Sequence, residues 1–146
     1  YTPQLVVNGE YELVGSNSTR ATSTINKVLM EKAAVKINIS RLVNEKDKLF
    51  ISCTIDGDIK KSDLIAAVVQ KQAMMNVKAG ENRGAKLSHT NVVRAFVQKP
   101  LQQKMDIELS IPKDLANDNG AIILYTRQKD DLKITGAVMT TMNNKE

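Results

Sequence analysis

The sequence predicts a mainly β fold: an antiparallel two-sheet sandwich of about seven strands, preceded by a β-hairpin and one helix. Three observations carry that expectation. From residue 35 onward, short runs alternate apolar and polar residues, the period of two that sends every other side chain to one face of a strand. The runs recur roughly every 10 to 15 residues and are separated by turn-forming clusters, as in two-sheet β domains. Ahead of them, Asn8-Gly9 lies between two apolar runs, the strongest short hairpin signal, and a stretch with helical spacing follows. A chain of 146 residues suffices for one ordinary domain or a small domain with an appendage. With 42% apolar residues but no Trp, the core must be built from Ile, Val, Leu, Met and Ala.

Residues 4–8 (QLVVN) and 11–14 form the two strands of the first hairpin. Gly15 breaks the second strand, and Ser16, Asn17 and Ser18 offer caps for a helix over residues 18–34. Within it Ala21, Ile25, Val28, Leu29 and Ala33 make one apolar stripe, which needs a sheet to lie on. Residues 1–35 cannot enclose a core alone, so this unit docks on residues 36–146 or is completed by chain preceding Tyr1 or by a second copy. Val35, Ile37 and Ile39 alternate, NEKDK (44–48) turns, and Leu49, Ile51, Cys53 and Ile55 alternate again before the turn at Asp56-Gly57-Asp58. LIAAVVQ (64–70), apolar on both faces, reads as a central strand, with a helix as the alternative because Ala and Leu also propagate helices. Met75 and Val77 lead as a short strand into a glycine turn. Strands at 92–98 and 105–111 follow, the latter stopped by Pro112. Residues 113–120 form a loop or single helical turn, and strands at 121–127 and 132–139 complete the series.

The candidate contact site lies in the stretch from Ala79 to Val97. Gly80 and Gly84 bracket Glu81, Asn82 and Arg83, a spacing that permits positive φ at both ends of a compact turn. Such a turn can converge backbone N–H groups on an anion, with charge from Arg83 or Lys86. The commoner alternative is a structural turn in which Glu81 and Asn82 bond their own backbone and Arg83 meets a carboxylate across the sheet. His89, the only histidine, has no second His or Cys beside it and cannot supply a zinc site, so a hydrogen-bonded structural role is expected. No nucleophile stands beside a base, and no catalytic residue, metal or cofactor is assigned. A hydrolase site built from Asp56, Asp58, Glu81 and His89 is the weakest reading, and the Asp56-Gly57-Asp58 turn lacks the further acidic positions of a calcium loop. Cys53, the single cysteine, excludes an internal disulfide and falls on the core-facing side of its strand. The net charge is +5, but lysines from Lys46 to Lys133 are interleaved with Asp and Glu and no aromatic platform accompanies them, so no nucleic-acid surface is expected. No apolar run approaches the 18 to 20 residues of a membrane-spanning helix.

Three segments together resemble a family of uncharacterised bacterial secreted proteins in which a thioredoxin-like domain precedes a C-terminal β-sandwich: YTPQLVVNG (1–9) with Val14-Gly15-Ser16; Gly80 to Gly84 with His89, Asn91, Val92, Val93 and Arg94; and Gly136-Ala137. The resemblance implies that Thr2-Pro3 is similar to the cis-proline turn beside a thioredoxin redox site. Residues 1–35 would be the last hairpin and helix of that domain, and residues 36–146 the sandwich. It also implies export to the periplasm or beyond. The chain starts at Tyr1 without a signal-like region and is expected to be a processed product or a fragment. Cys53 falls outside the position of the family's redox cysteine, so the expected function is a non-catalytic accessory or binding module. In that role Gly80, Glu81, Asn82, Arg83, Gly84, His89 and Arg94 offer an interdomain or ligand contact. The alternative is part of a thiol-disulfide oxidoreductase or redox carrier whose cysteines lie outside this chain. The expected partners are the missing thioredoxin-like half or a second copy.

Overall fold

A computed structural model describes all 146 residues, Tyr1 to Glu146, and shows a mainly β chain with antiparallel sheets. Strands β1 (Gln4–Val7) and β2 (Tyr11–Val14) pair through a turn at Asn8 and Gly9, whose φ values of 52° and 66° are the left-handed pair an Asn-Gly turn supplies. Helix α1 (Ser18–Leu29) starts at Asn17, whose side chain accepts the Arg20 N–H at 3.0 Å. The helix stops five residues before the expected 34. Residues 30–34 leave it to carry Val35 to the last strand, where the Val35 N–H donates to the Thr135 carbonyl at 3.0 Å. Ala33 therefore drops off the apolar stripe; Val28 is buried, and Leu29 stays exposed.

The remaining strands form two sheets. Three strands, β3 (Lys36–Asn44), β4 (Lys48–Asp56) and β7 (Lys104–Ser110), make one in the order β3-β4-β7. The other has the order β6-β5-β8-β9 and uses β5 (Ser62–Asn76), β6 (Lys86–Pro100), β8 (Gly120–Gln128) and β9 (Ile134–Thr141). Leu42, Leu49 and Ile51 of the first share one apolar cluster with Leu64, Val68 and Leu124 of the second. A bulge at Ser40 shifts β3 by one residue, so the inward set passes from Ile37 and Ile39 to Leu42, while the Ser40 hydroxyl donates to the Ser52 carbonyl at 3.1 Å. LIAAVVQ is a strand, central between β6 and β8, and its helical alternative falls. The separate short strand expected at 75–77 does not exist, because Met75 belongs to the same continuous β5, and the strand expected at 92–98 is the end of a 15-residue β6. Residues 117–119 form a single 3-10 turn inside the expected loop.

The hairpin-helix unit seats against the β8–β9 connection. The Asn8 carbonyl accepts the Ile134 N–H at 2.9 Å, and Lys133 pairs with Glu10 at 3.3 Å. Two glycines make this approach possible: a Cβ on Gly9 would run into the Leu132 carbonyl, and one on Gly136 into that of Val35. Both obstacles are backbone atoms, which cannot swing aside. Gly136→Ala is therefore expected to lower stability by about 1–3 kcal/mol, as overpacking does, read from the urea midpoint at unchanged slope. A variant within about 0.5 kcal/mol of the parent, the range of uninvolved surface substitutions, would show that this contact does not constrain the fold.

Candidate functional site: the β5–β6 arm

Strand β8 covers β5 only from Ser62 to Gln70. Beyond Gln70, β5 and β6 continue as a two-stranded ribbon, paired from Gln72 with Thr90 to Asn76 with Lys86. The ribbon is fastened where it leaves the body: Gln72 N–H donates to Asn119 Oδ1 at 3.2 Å, and Asn119 Nδ2 donates to the Gln72 carbonyl at 3.0 Å. Nearby, Arg94 occupies a bulge in β6, where its guanidinium donates to Gln70 Oε1 at 2.6 Å and to both Asp114 oxygens at 2.7 and 2.9 Å. Past this clamp Met74, Met75 and Leu87 are exposed, with no sheet or helix over them.

The GENRG turn caps the ribbon. Val77 N–H donates to the Ala85 carbonyl at 2.9 Å and Gly84 N–H to the Val77 carbonyl at 2.8 Å, closing the tip. Inside it, Arg83 N–H reaches the Gly80 carbonyl at 3.1 Å and Ala85 N–H the Asn82 carbonyl at 3.0 Å. Gly80 and Gly84 have φ of 88° and 84°, and a Cβ on either would meet nothing within 4 Å. The tip is thus held by its own backbone. The N–H groups of Arg83, Gly84 and Ala85 serve chain carbonyls and are not free to cradle an anion, and the side chains of Glu81, Asn82 and Arg83 form no hydrogen bond or ion pair. The side-chain bonds expected of a purely structural turn are absent, and the backbone holds the tip instead.

The remaining sequence-predicted residues scatter. His89 lies opposite Ala73 on the exposed ribbon without a side-chain hydrogen bond, because no second layer lies there to provide one. Arg94 is eight residues from Lys86, roughly 26 Å at a strand rise of about 3.3 Å. It anchors the arm's base and is not part of its tip. The Thr2-Pro3 peptide is cis, and the Pro3 carbonyl accepts the Gly15 N–H at 2.8 Å, far in sequence from the arm. Asp58 accepts the Lys60 N–H at 2.9 Å, and no three His, Cys, Asp or Glu side chains gather closely enough to hold a metal ion. Cys53 is 2% exposed, and burial, helped by the Asp106 charge, pushes its thiol up to about 11.

Sequence reasoning missed an apolar patch on the outer face of the four-stranded sheet. There Phe96 and Val93, 64% and 55% exposed, flank Ala67 and Val69 of β5. The signal was present in LIAAVVQ, whose second apolar face needed neighbours. No helix is long and apolar enough to cross a membrane.

A family model described as a protein of unknown function (DUF1223) matches residues 1–126. No curated protein matches the chain. Among solved structures, selenomethionine-labelled β-glucosidase from Kluyveromyces marxianus aligns at 14% identity and a TM-score of 0.31, covering 82% of this chain and 16% of that one. The same enzyme in complex with glucose aligns at 15% and 0.30, covering 76% and 14%. The chain thus spans about a sixth of those enzymes, and likenesses at these scores carry no inference about it.

Two outcomes follow from these environments. Ellman's reagent is expected to leave Cys53 unmodified at pH 8 in the folded protein and to titrate one thiol in denaturant; rapid native reaction would contradict the burial. Asp114 is held below the ordinary carboxylate range first by its hydrogen bonds from Arg94. A depressed folded-state pKa contributes stability above the unfolded value near 3.9 that is lost as pH falls through the lower folded value. Urea midpoints between pH 6 and 2 should therefore decline more steeply for the parent than for Asp114→Asn below about pH 4. Parallel profiles would show that the Arg94 clamp contributes nothing.

Proposed function

The chain belongs to the DUF1223 family, and we propose that it acts as a non-catalytic binding module whose contact element is the β5–β6 arm. In this reading residues 36–146 are a β-sandwich, and residues 1–35 are the closing hairpin and helix of a thioredoxin-like part of an exported protein. One observation carries it: both strands of the hairpin run 15 residues, past the end of the sheet that supports them. An isolated two-stranded ribbon is marginal in water, so an arm that gains nothing from the core is best understood through what it touches. Burial of Cys53 favours a binding role over redox chemistry, which would have to draw on cysteines elsewhere in the protein.

Gln72 and Thr90 already face each other, so an Asn-Gly turn can join them directly and remove the arm. This shortened variant is expected to keep the parent's thermal midpoint within about 4 °C, which for a domain of this size corresponds to roughly 1 kcal/mol. A photoreactive benzoylphenylalanine in place of Glu81 should give one discrete higher-mass adduct in the source cell, and the same group in place of Glu12 none. Equal adducts at both positions, no adduct at 81, or loss of folding in the shortened variant would each overturn the reading.

A further inference from the structure

The arm is basic. Residues 71–90 hold Lys71, Lys78, Arg83 and Lys86 against a single acid, Glu81, a net charge of +3 out of the chain's +5. Past Gln70 the cations are Lys71, Lys78, Arg83 and Lys86, and none of them makes an ion pair. Lysines are spread along the whole sequence, but in this stretch Glu81 is the one acid among them.

Strand β6 is also a free edge. It is the outer member of its sheet, no backbone bond from outside the sheet reaches residues 86–100, and no side chain bonds to its main chain. Edge strands normally carry protection, and here it is partial: the bulge at Arg94 and the positive φ of Asn91 interrupt the edge. Residues 86–90 remain a straight stretch on the arm. On one face of it Leu87 lies beside Met75; on the other Lys86 lies beside Asn76.

Resting on the reading of the arm as a contact element, we propose that residues 86–90 of β6 receive an extended acidic segment of a partner protein as an added strand. Successive residues of such a strand alternate between the two faces, so its acidic side chains meet Lys86 while its apolar ones cover Leu87. The cations at the tip steer the acidic segment in. A second copy pairing through this same edge is disfavoured, because β6 contains no carboxylate to face its own lysines. The chain's acidic edge, β7, is not the occupant either: Asp106 accepts from Ser52 at 2.8 Å and Glu108 pairs with Lys48 at 3.0 Å. Nucleic acid would want an aromatic stacking platform, and the arm has no Phe, Tyr or Trp.

The test uses a labelled ten-residue peptide alternating glutamate with valine and threonine, its lysine counterpart, and the acidic peptide N-methylated at alternate backbone nitrogens. By fluorescence anisotropy the acidic peptide is expected to bind, to weaken at least about fivefold between 50 and 300 mM salt, and to weaken about five- to tenfold on Lys86→Glu. N-methylation should weaken it about tenfold or more, since strand addition depends on main-chain bonds. Equal binding of acidic and lysine peptides, or indifference to N-methylation, overturns the proposal. So does tighter binding of duplex DNA or of phosphatidylserine vesicles, which would reassign the arm to another partner. If no peptide binds while the adduct at position 81 persists, the strand-addition inference fails and the binding-module reading stands; if the adduct is also missing, both fail.

Discussion

Strand β5 is the constraint on which the rest depends. Its first eight residues, Ser62 to Val69, are buried, and it hydrogen-bonds β6 on one side and β8 on the other. Leu64, Ala66 and Val68 face the core shared with the three-stranded sheet, while Ala67 and Val69 pack with Ala121 on the opposite side. A strand apolar on both faces is stable only at the centre of a sheet. That requirement places β6 and β8 around it, and β8 in turn places β9, whose Gly136 admits Val35 and the N-terminal unit. The same strand then changes character at Gln70, where β8 ends and the composition turns polar. Body and arm are two lengths of one strand.

The change is mechanically defined. Gly120, the first residue of β8, lies against Met142, and Asn119 just before it ties Gln72 through two hydrogen bonds. Arg94 ties Gln70 to Asp114 on the neighbouring loop. These contacts hold the root of the ribbon on two sides, so its direction relative to the body is set at the base. Charge-assisted bidentate bonds suit that task because they fix orientation as well as distance. Asp114 is largely exposed, which makes the pair more useful as a guide than as a source of stability.

Alternation in sequence reports contact with a core, and this explains what could be read in advance. Met105, Ile107 and Leu109 alternate cleanly because β7 has one buried face, and Cys53 was legible as buried for the same reason. Asn8-Gly9 was legible because its chemistry is local. The arm was legible only in part: in QKQAMMN both faces meet water, so no period marks the continuation of β5, and only Met75 and Val77 suggested a separate short strand. The bulge at Ser40 hid Leu42 by shifting the period by one residue. The end of α1 depends on Val35 reaching Thr135, 100 residues away in sequence, which no local signal encodes. Of the proposed contact residues, the glycine turn was located correctly as a turn. Its separation from Arg94 required knowing that β5 and β6 pair as one long ribbon between them.

The glycines separate two kinds of constraint. At Gly9, Gly57 and Gly136 a side chain would strike backbone of another segment, so these positions serve packing, and at Gly9 and Gly57 a positive φ adds a conformational demand. Gly80 and Gly84 have open space around them and still hold left-handed φ, so the demand there is conformational. A tip required only to reconnect two strands would tolerate many looser loops. This one satisfies its inner N–H groups internally and turns tightly, keeping β5 and β6 in register as far as Asn76 and Lys86 without a core to enforce it. Register at the end of an unsupported ribbon is worth maintaining when the edge beyond it must present its main chain in order. On that physical ground the GENRG turn acts as the clasp that keeps the β6 edge in shape, and that edge, with Lys86 and Leu87 on opposite faces, is the surface we propose for a partner.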